Sequence, residues 1–370
     1  MFRFLTLCTI TAESTVWYLL QTLYRIVIKG FFLIKTRRFF ITRLKFLGDV
    51  ILTLPAVRLI RQKYPEAHIT YLAARPFDEL LAHHPDIDRV MGFNLSSIPR
   101  QLEVLMKLAA APFDAALDLF GNPRTAMLCM LTGAKVRIGG DFRGRRLLYT
   151  HRINMDGKEV TAPAFHMHYL EPLGIKPQPV LPRLYVSDEE KERAARYLSD
   201  LGYTDKPIVG IHAGATWPAK MWRSDRFAEL AKRLSKEHGV QVFFTAGPAD
   251  LERVNRISEQ ASVSPSEPRV VGIRQLCALV QKFSLFISND CGPMHIAPAL
   301  SVPTLGIFGP GQPDIWFPYR TEDGHHIIHK HIECSRCGRD FCDDLRCMDA
   351  ISVTHVFDRA VQVLRDTKKI

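Results

Sequence analysis

From residue 38 onward, short continuously apolar runs alternate with longer segments of helical character. "RFFITRL", with its continuous apolar centre at 39–41, predicts a buried strand. "GDVILTLPAVRLIRQKYP" then predicts a helix and "HITYLA" a second strand, while "FDAALDLF" and "AKVRIGG" predict later strands of the same sheet. Strands separated by helices imply a doubly wound parallel sheet. The stretch "GIKPQPVLPRLYVS" (174–187) holds three prolines and no helical period, so it reads as a linker. A second series follows: "PIVGIHAGA" a strand, "SDRFAELAKRLSKEHG" a helix opened by a Ser/Asp cap, and "VQVFFTAG" a strand. "DLERVNRISEQA" is a helix, "LFISND" a strand, "PMHIAPALS" a helix and "TLGIFGP" a strand, with "VTHVFDRAVQVLRDT" closing the chain as a helix.

The expected organisation is therefore an α/β chain of two Rossmann-like units facing a central cleft. The first covers 37–175 and the second 188–350, joined by a linker at 176–187 and followed by a C-terminal helix at 351–370. A length of 370 residues suits two cores better than one. With 47% hydrophobic and 24% charged residues, composition excludes a disordered chain.

Charge changes the picture at one end. Of a net +11, residues 1–45 contribute eight Lys or Arg against one acid, Glu13. Within this end "TVWYLLQTLYRIVIKGFFLI" (15–34) is long enough to cross a bilayer, but Arg25 and Lys29 would each cost roughly 2.5–3.5 kcal/mol there. Gln21 or Thr22, Arg25 and Lys29 form one narrow polar stripe on a helix. A helix lying in the membrane interface fits, with Lys35, Arg37 and Arg38 at anionic headgroups. A helix docked on this protein or a partner, a true span and a cleaved signal stay open, although no small-x-small cleavage site is present. Residues 1–36 are thus expected to form a basic, apolar, membrane-associating extension. The eight cysteines do not have the layout of a secreted disulfide scaffold, which favours a reducing compartment.

Candidate chemistry lies where apolar runs end in polar residues. In "SNDCGPMHIAPALSVPTLGIFGP" (288–310) a strand stops at Asn, Asp and Gly, and a helix starts near Pro293. Ligands of open α/β sheets bind beyond the carboxyl ends of strands, and a helix start offers free N–H groups to a phosphate. Gly292 would allow close approach of backbone, and His295 would face the same mouth. The alternative is a helix capped by Asp290 with His295 merely packed. "HAGATWPAKMW" (212–222) follows a strand of the same unit and offers Lys220 as a point charge for phosphate, or else a surface lysine. In "RLKFLGDVILTLPA" (43–56), Asp49 at a strand-to-helix turn is either a helix cap or, across a cleft from a phosphate site, a general base.

Three of these segments, "GDVILTLPAVRLIRQKYPEAHITYLA", "HAGATWPAKMW" and "NDCGPMHIAPALSVPTLGIFGP", together resemble glycosyltransferase family 9, the heptosyltransferases of lipopolysaccharide core assembly. The resemblance runs from about residue 38 to 365. It implies a GT-B fold, with the acceptor bound by the first unit and the nucleotide-sugar donor by the second. It also implies inverting transfer from ADP-heptose to a lipopolysaccharide core, at the cytoplasmic face of the inner membrane, by a peripheral enzyme. On this resemblance Asp49 is the catalytic base and Lys220 the donor-phosphate lysine. Thr216, Asp290, Cys291, Gly292 and His295 belong to the donor site, with Cys291 standing where the family often has Ser or Thr. "AGPADLE" resembles the stretch whose acid contacts the donor nucleoside, which points to Glu252 and secondarily to Asp250.

Aspartate carboxylates, with a reference pKa of about 3.9, are too weak to strip a free sugar hydroxyl, so the proton must move as charge develops in the transition state. Lys220 and the helix start at 292–295 would stabilise the departing diphosphate, and no cofactor or divalent ion is then required. "DID" (Asp86, Asp88) matches a metal-binding DxD in form but reads as a solvated loop before a strand. "KVRIGGDFRGRRLLYTHR" (135–152) holds six Lys or Arg and one Asp, and through Arg143, Arg145 and Arg146 it would attract an anionic, lipid-linked glycan; a plain solvated loop is the alternative. It lacks the interleaved aromatics of a nucleic-acid site. "CSRCGRDFCDDLRC" places Cys334, Cys337, Cys342 and Cys347 at a spacing able to hold a structural zinc, with reduced thiols or disulfides as alternatives. "HHIIHKH" (325–331) could lend a further ligand or be a strand. No G-x-G-x-x-G follows a strand, which disfavours a dinucleotide oxidoreductase. A nucleotide-sugar epimerase of similar fold, a hexose- or hexosamine-transferring relative and a lipid-binding scaffold are the competing functions.

Overall fold

The computed structural model describes residues 38–157, 160–263 and 270–370. The expected membrane-associating extension at 1–36 lies outside the described residues.

The apolar run at 38–42 forms β1 (Arg38–Thr42), whose last four residues are fully buried. It pairs in parallel with β2 (His68–Ala74) on one side and β4 (Ala115–Asp118) on the other. With β3 (Arg89–Phe93), β5 (Val136–Gly140) and β6 (His151–Ile153) the sheet order is β3-β2-β1-β4-β5-β6. A central parallel strand covered on both faces has no place for water, so every side chain must be apolar or satisfied. Phe39 and Ile41 face one layer, with the helices Leu47–Lys63 and Ala162–His168, whereas Phe40 faces the helices Ile98–Ala110 and Pro123–Leu131.

The second sheet has the order β11-β10-β9-β7-β8, from β7 (Ile208–His212), β8 (Gln241–Thr245), β9 (Leu285–Asn289), β10 (Thr304–Phe308) and β11 (His325–His329). All its pairings are parallel. "HHIIHKH" is therefore an edge strand. Order reverses at β1/β4 in one sheet and at β7/β9 in the other, and such switch points open the crevices in which α/β folds hold ligands. Asp49 follows β1, Lys220 follows β7 and Asp290 follows β9.

The linker 175–187 is extended and lies on the second lobe, with Leu184 N–H donating to Ala299 O at 2.8 Å and Arg183 to Ser301 Oγ at 2.8 Å. The two lobes share packing: the first lobe's core runs into Leu276, Phe283, Ile296 and Ala299 of the second.

Two expectations are corrected. The helix after β7 begins at Ser224 with Arg223 as the capping residue, so no Ser/Asp side chain caps it. "PMHIAPALS" is not one helix. It splits into a 3-10 turn, Gly292–His295, and a single α turn, Ile296–Ala299. Pro293 sits in the first turn, where no N–H is needed, but Pro298 lacks the N–H that would bond back to Met294, which breaks so short a run. The C-terminal helix Val353–Asp366 packs into the second lobe, with Val356, Phe357, Ala360 and Leu364 in its core.

Candidate active site

Between the lobes lies a cavity of about 330 Å³. The first lobe lines it with Phe46, Gly48, Asp49 and Leu52, and the second with Thr216, Trp217, Lys220, Asp290, Cys291, Gly292 and His295 among others. The sequence-expected base and most of the expected donor residues thus meet in one gap.

Asp49 is the third residue of the helix Leu47–Lys63. One carboxylate oxygen accepts the Phe46 backbone N–H at 2.9 Å, the reciprocal bond of an N-terminal cap. The other lies 2.5 Å from Arg43. Arg43 in turn donates to Leu119 O at 2.8 Å and stacks 4.9 Å from the centre of the Phe120 ring. The carboxylate is therefore fixed in direction from two sides while still lining the cavity, so the cap reading holds and the group also faces the cleft.

Across the gap, Lys220 Nζ stands 2.7 Å from Asp290 Oδ2 and 4.5 Å from the centre of the Trp217 ring. Asp290 is buried. Burial pushes its carboxyl above the ordinary range, and the Lys220 charge opposes that rise. Gly311 is required beside it, since a Cβ there would fall 2.2 Å from the Asp290 carboxylate. His295 is buried too, its Nδ1 3.0 Å from the Tyr319 hydroxyl. Burial first, then the nearby Lys220 cation, pushes the imidazole pKa down to about 3, so it is neutral at physiological pH. The Cys291 thiol, 3.3 Å from Ser288 Oγ, is pushed up to about 12 by burial and stays protonated.

Asn289, at the buried end of β9, holds the lysine-bearing loop at both ends. Its amide donates to Ala213 O at 2.8 Å and accepts from Trp222 N–H at 3.1 Å. Arg43 and Asn289 were not among the expected site residues. The available signals were an arginine just past a buried strand and an amide at the last position of an otherwise apolar one.

Other expectations fall elsewhere. Glu252 does not line the cavity; it is exposed on the helix Leu251–Ala261 and pairs with Arg256 at 2.9 Å. Its neighbour Asp250 is the acid turned toward the loop, because a Cβ on Gly214 would fall 2.3 Å from its carboxylate. Arg143, Arg145 and Arg146 sit on a 3-10 turn, Arg143–Leu148, after β5 and do not line the cavity. Arg146 approaches Asp141 at 3.7 Å and Arg145 stacks on Phe142. The "DID" loop is solvated at Asp88, as expected, but not at Asp86. Asp86 is buried against Arg58 at 2.9 Å, and Asp88 pairs with Arg61 at 2.5 Å. Both arginines come from the helix Leu47–Lys63, so these carboxylates anchor that helix. Cys334, Cys337, Cys342 and Cys347 are free thiols. Among the described residues no group of three or more His, Cys, Asp or Glu could hold a metal ion, so the geometry gives the zinc expectation no support.

The arrangement can hold an anion at Lys220 and present a carboxylate to a hydroxyl opposite it. Known proteins resemble the chain in sequence and fold. The family model of glycosyltransferase family 9 (heptosyltransferase) matches residues 102–344. The chain is 26% identical to lipopolysaccharide heptosyltransferase 3 of Escherichia coli K12 over 291 residues, 75% of this chain and 83% of that one. A glycosyl transferase family 9 structure from Veillonella parvula superposes with a TM-score of 0.79 at 26% identity, covering 89% of this chain and 97% of the other. Escherichia coli ADP-heptose lipopolysaccharide heptosyltransferase II shares the fold at a TM-score of 0.75 and 23% identity, with 90% and 99% covered. Two parallel-sheet lobes closing on one cleft, as in these structures, constitute the GT-B architecture, and the chain belongs to glycosyltransferase family 9, the heptosyltransferases.

Proposed function

We propose that this glycosyltransferase moves a heptose from an ADP-activated donor to a phosphorylated, lipid-linked core glycan, with inversion at the anomeric carbon. The observation that carries the reading is the placement of Asp49 opposite the Lys220–Asp290 pair and His295 around a single cavity. The acceptor oxygen forms its bond to the anomeric carbon on one face as the bond to the diphosphate oxygen breaks on the other. The acceptor proton passes to Asp49, and the electron pair of the broken bond leaves on the ADP. Lys220 stands in the second lobe to stabilise that developing charge without reorganisation, and the reaction then needs neither a cofactor nor a divalent ion. Neutral His295 supports the donor pocket as a hydrogen-bonding group rather than a second cation. Arg143, Arg145 and Arg146, at the carboxyl edge of the first sheet, attract the anionic acceptor toward the cleft. Such an acceptor places the enzyme on the cytoplasmic face of the inner membrane as a peripheral protein.

The test is a panel of nucleotide sugars offered to the purified chain, read by thermal shift and by transfer to a deacylated core acceptor. ADP-heptose is expected to stabilise the protein and be consumed only when acceptor is present. Conversion of a nucleotide sugar without acceptor, or preference for another donor, would replace this reading.

A further inference from the structure

The helix Ile98–Ala110 carries more apolar surface than its core contact uses. Val104 and Leu108 are buried against the sheet, yet Ile98, Leu102 and Met106 are 71%, 53% and 66% exposed. Spaced four apart, these three form one stripe roughly 12 Å long. The helix Pro123–Leu131 packs beside it and leaves Met127, Met130 and Leu131 exposed on one face. The 3-10 turn Arg143–Leu148 packs on that second helix and adds Leu147, which is 72% exposed. Three adjoining elements thus present outward apolar side chains on one face of the first lobe, where a soluble surface would be polar.

The rim of this face is basic. Between residues 98 and 149 there are eight Lys or Arg against four acids, and one of those acids, Asp118, is buried. Arg124 and Arg143 are exposed on the two adjoining elements, while Arg100 and Lys107, the latter paired with Glu103, lie on the helix's other flank beside β3. Apolar side chains ringed by cations match an anionic bilayer surface, with the chains entering the acyl boundary and the cations meeting phosphates. The same charge argues against two other occupants. The chain's own segment 1–37 is strongly basic, and a second copy would bring this rim against itself.

We infer that the apolar face formed by Ile98, Leu102, Met106, Met127, Met130 and Leu131 is where the first lobe docks on an anionic lipid bilayer. The inference deepens the proposed function by naming the surface that meets the membrane, and it rests on that reading only for the lipid-linked acceptor. The turn Arg143–Leu148 connects this face to the carboxyl edge of the sheet, where Asp49 stands, so docking brings the cleft mouth near the headgroups.

The experiment uses the full chain with a benzoylphenylalanine photo-crosslinker in place of Leu102, of Met127 or, as control, of Ile327, an exposed residue of the second lobe. Each is irradiated on vesicles of phosphatidylcholine alone and of phosphatidylcholine with about one third phosphatidylglycerol. Lipid adducts are expected at positions 102 and 127 on the anionic vesicles and at background level at 327. Adducts to segment 1–37 or to a second copy, or no lipid adduct at 102 and 127, would overturn the inference. A variant carrying Leu102→Ser, Met106→Ser and Met127→Ser should bind the anionic vesicles roughly tenfold more weakly while turning over a soluble acceptor normally. Undiminished vesicle binding by that variant would also overturn it. Lipid crosslinking and vesicle binding need no catalysis, so failure here and failure of the proposed reaction are distinguishable.

Discussion

Gly48 of the first lobe and Gly292 of the second meet across the cleft. A Cβ built on Gly48 would lie 3.3 Å from Gly292 Cα and 2.6 Å from the His295 ring, and one built on Gly292 would lie 3.2 Å from Gly48 N. Neither glycine has a positive φ, so the requirement is for close approach alone. Gly48→Ala should hold the lobes slightly apart and lower kcat by about 10²-fold, with a fold intact by circular dichroism. An alanine variant with unchanged kcat would mean that this contact does not set the reacting distance.

The Lys220–Asp290 pair makes a prediction for stability as well as for binding. Removing one member of a buried pair leaves an uncompensated charge, which costs about 3–5 kcal/mol. Because the folded state holds Asp290 above the ordinary carboxyl range, its burial is harmless when protonated and destabilising once ionised. Lys220→Met should therefore be more destabilised as pH rises from the carboxylate range toward neutrality, and it should also lose ADP affinity. Adding Asp290→Asn should restore much of the stability but none of the affinity. Urea melts at several pH values with calorimetric ADP titrations check both parts.

Buried histidines predict the opposite trend in acid. His212 is held down to about 4 and His295 to about 3, both by burial, against an ordinary 6.5. Below about 6.5 the unfolded chain takes up protons that the fold refuses, so stability falls as pH drops and is flat above 7. Buried acids with raised pKa, such as Asp118 and Asp290, act with the opposite sign. The histidine share is best read as a difference. Between pH 7 and pH 5 the wild type should lose about 1–2 kcal/mol more than His212→Gln, a site outside the cavity. Equal losses would show that His212 is not held neutral.

Much of this was legible because buried parallel strands admit so few residue types. "RFFITRL", "PIVGIHAGA" and "LFISND" could hardly be anything else, and polar residues beyond their carboxyl ends marked Asp49, Lys220 and Asp290. What escaped depended on phase and on tertiary contact. Val254, Ile257, Ser258 and Ala261 are the buried positions of their helix, and Glu252 lies two residues from Val254, on the opposite side. A motif stretch names both acids, but only the phase selects Asp250. Asp86 looked solvated because Arg58, which holds it, lies more than twenty residues away. Arg43 became part of the site through a side-chain contact to Asp49, which no periodicity encodes.

That contact separates positioning from chemistry. Arg43→Gln should lower kcat while leaving ADP affinity unchanged, since Arg43 orients the carboxylate from the first lobe and bonds to no second-lobe residue lining the cavity. A fall in ADP affinity with kcat preserved would assign Arg43 to donor binding instead.

The most direct measurement is single-turnover transfer by Asp49→Asn with the donor pre-bound, beside ADP affinity measured by calorimetry on the same protein. The substitution keeps the shape and removes the proton acceptor. The account predicts transfer reduced by about 10²–10⁴-fold with ADP affinity within error of the wild type. Transfer at the wild-type rate would contradict it, because the group facing Lys220 and His295 across the cleft would then not be the base.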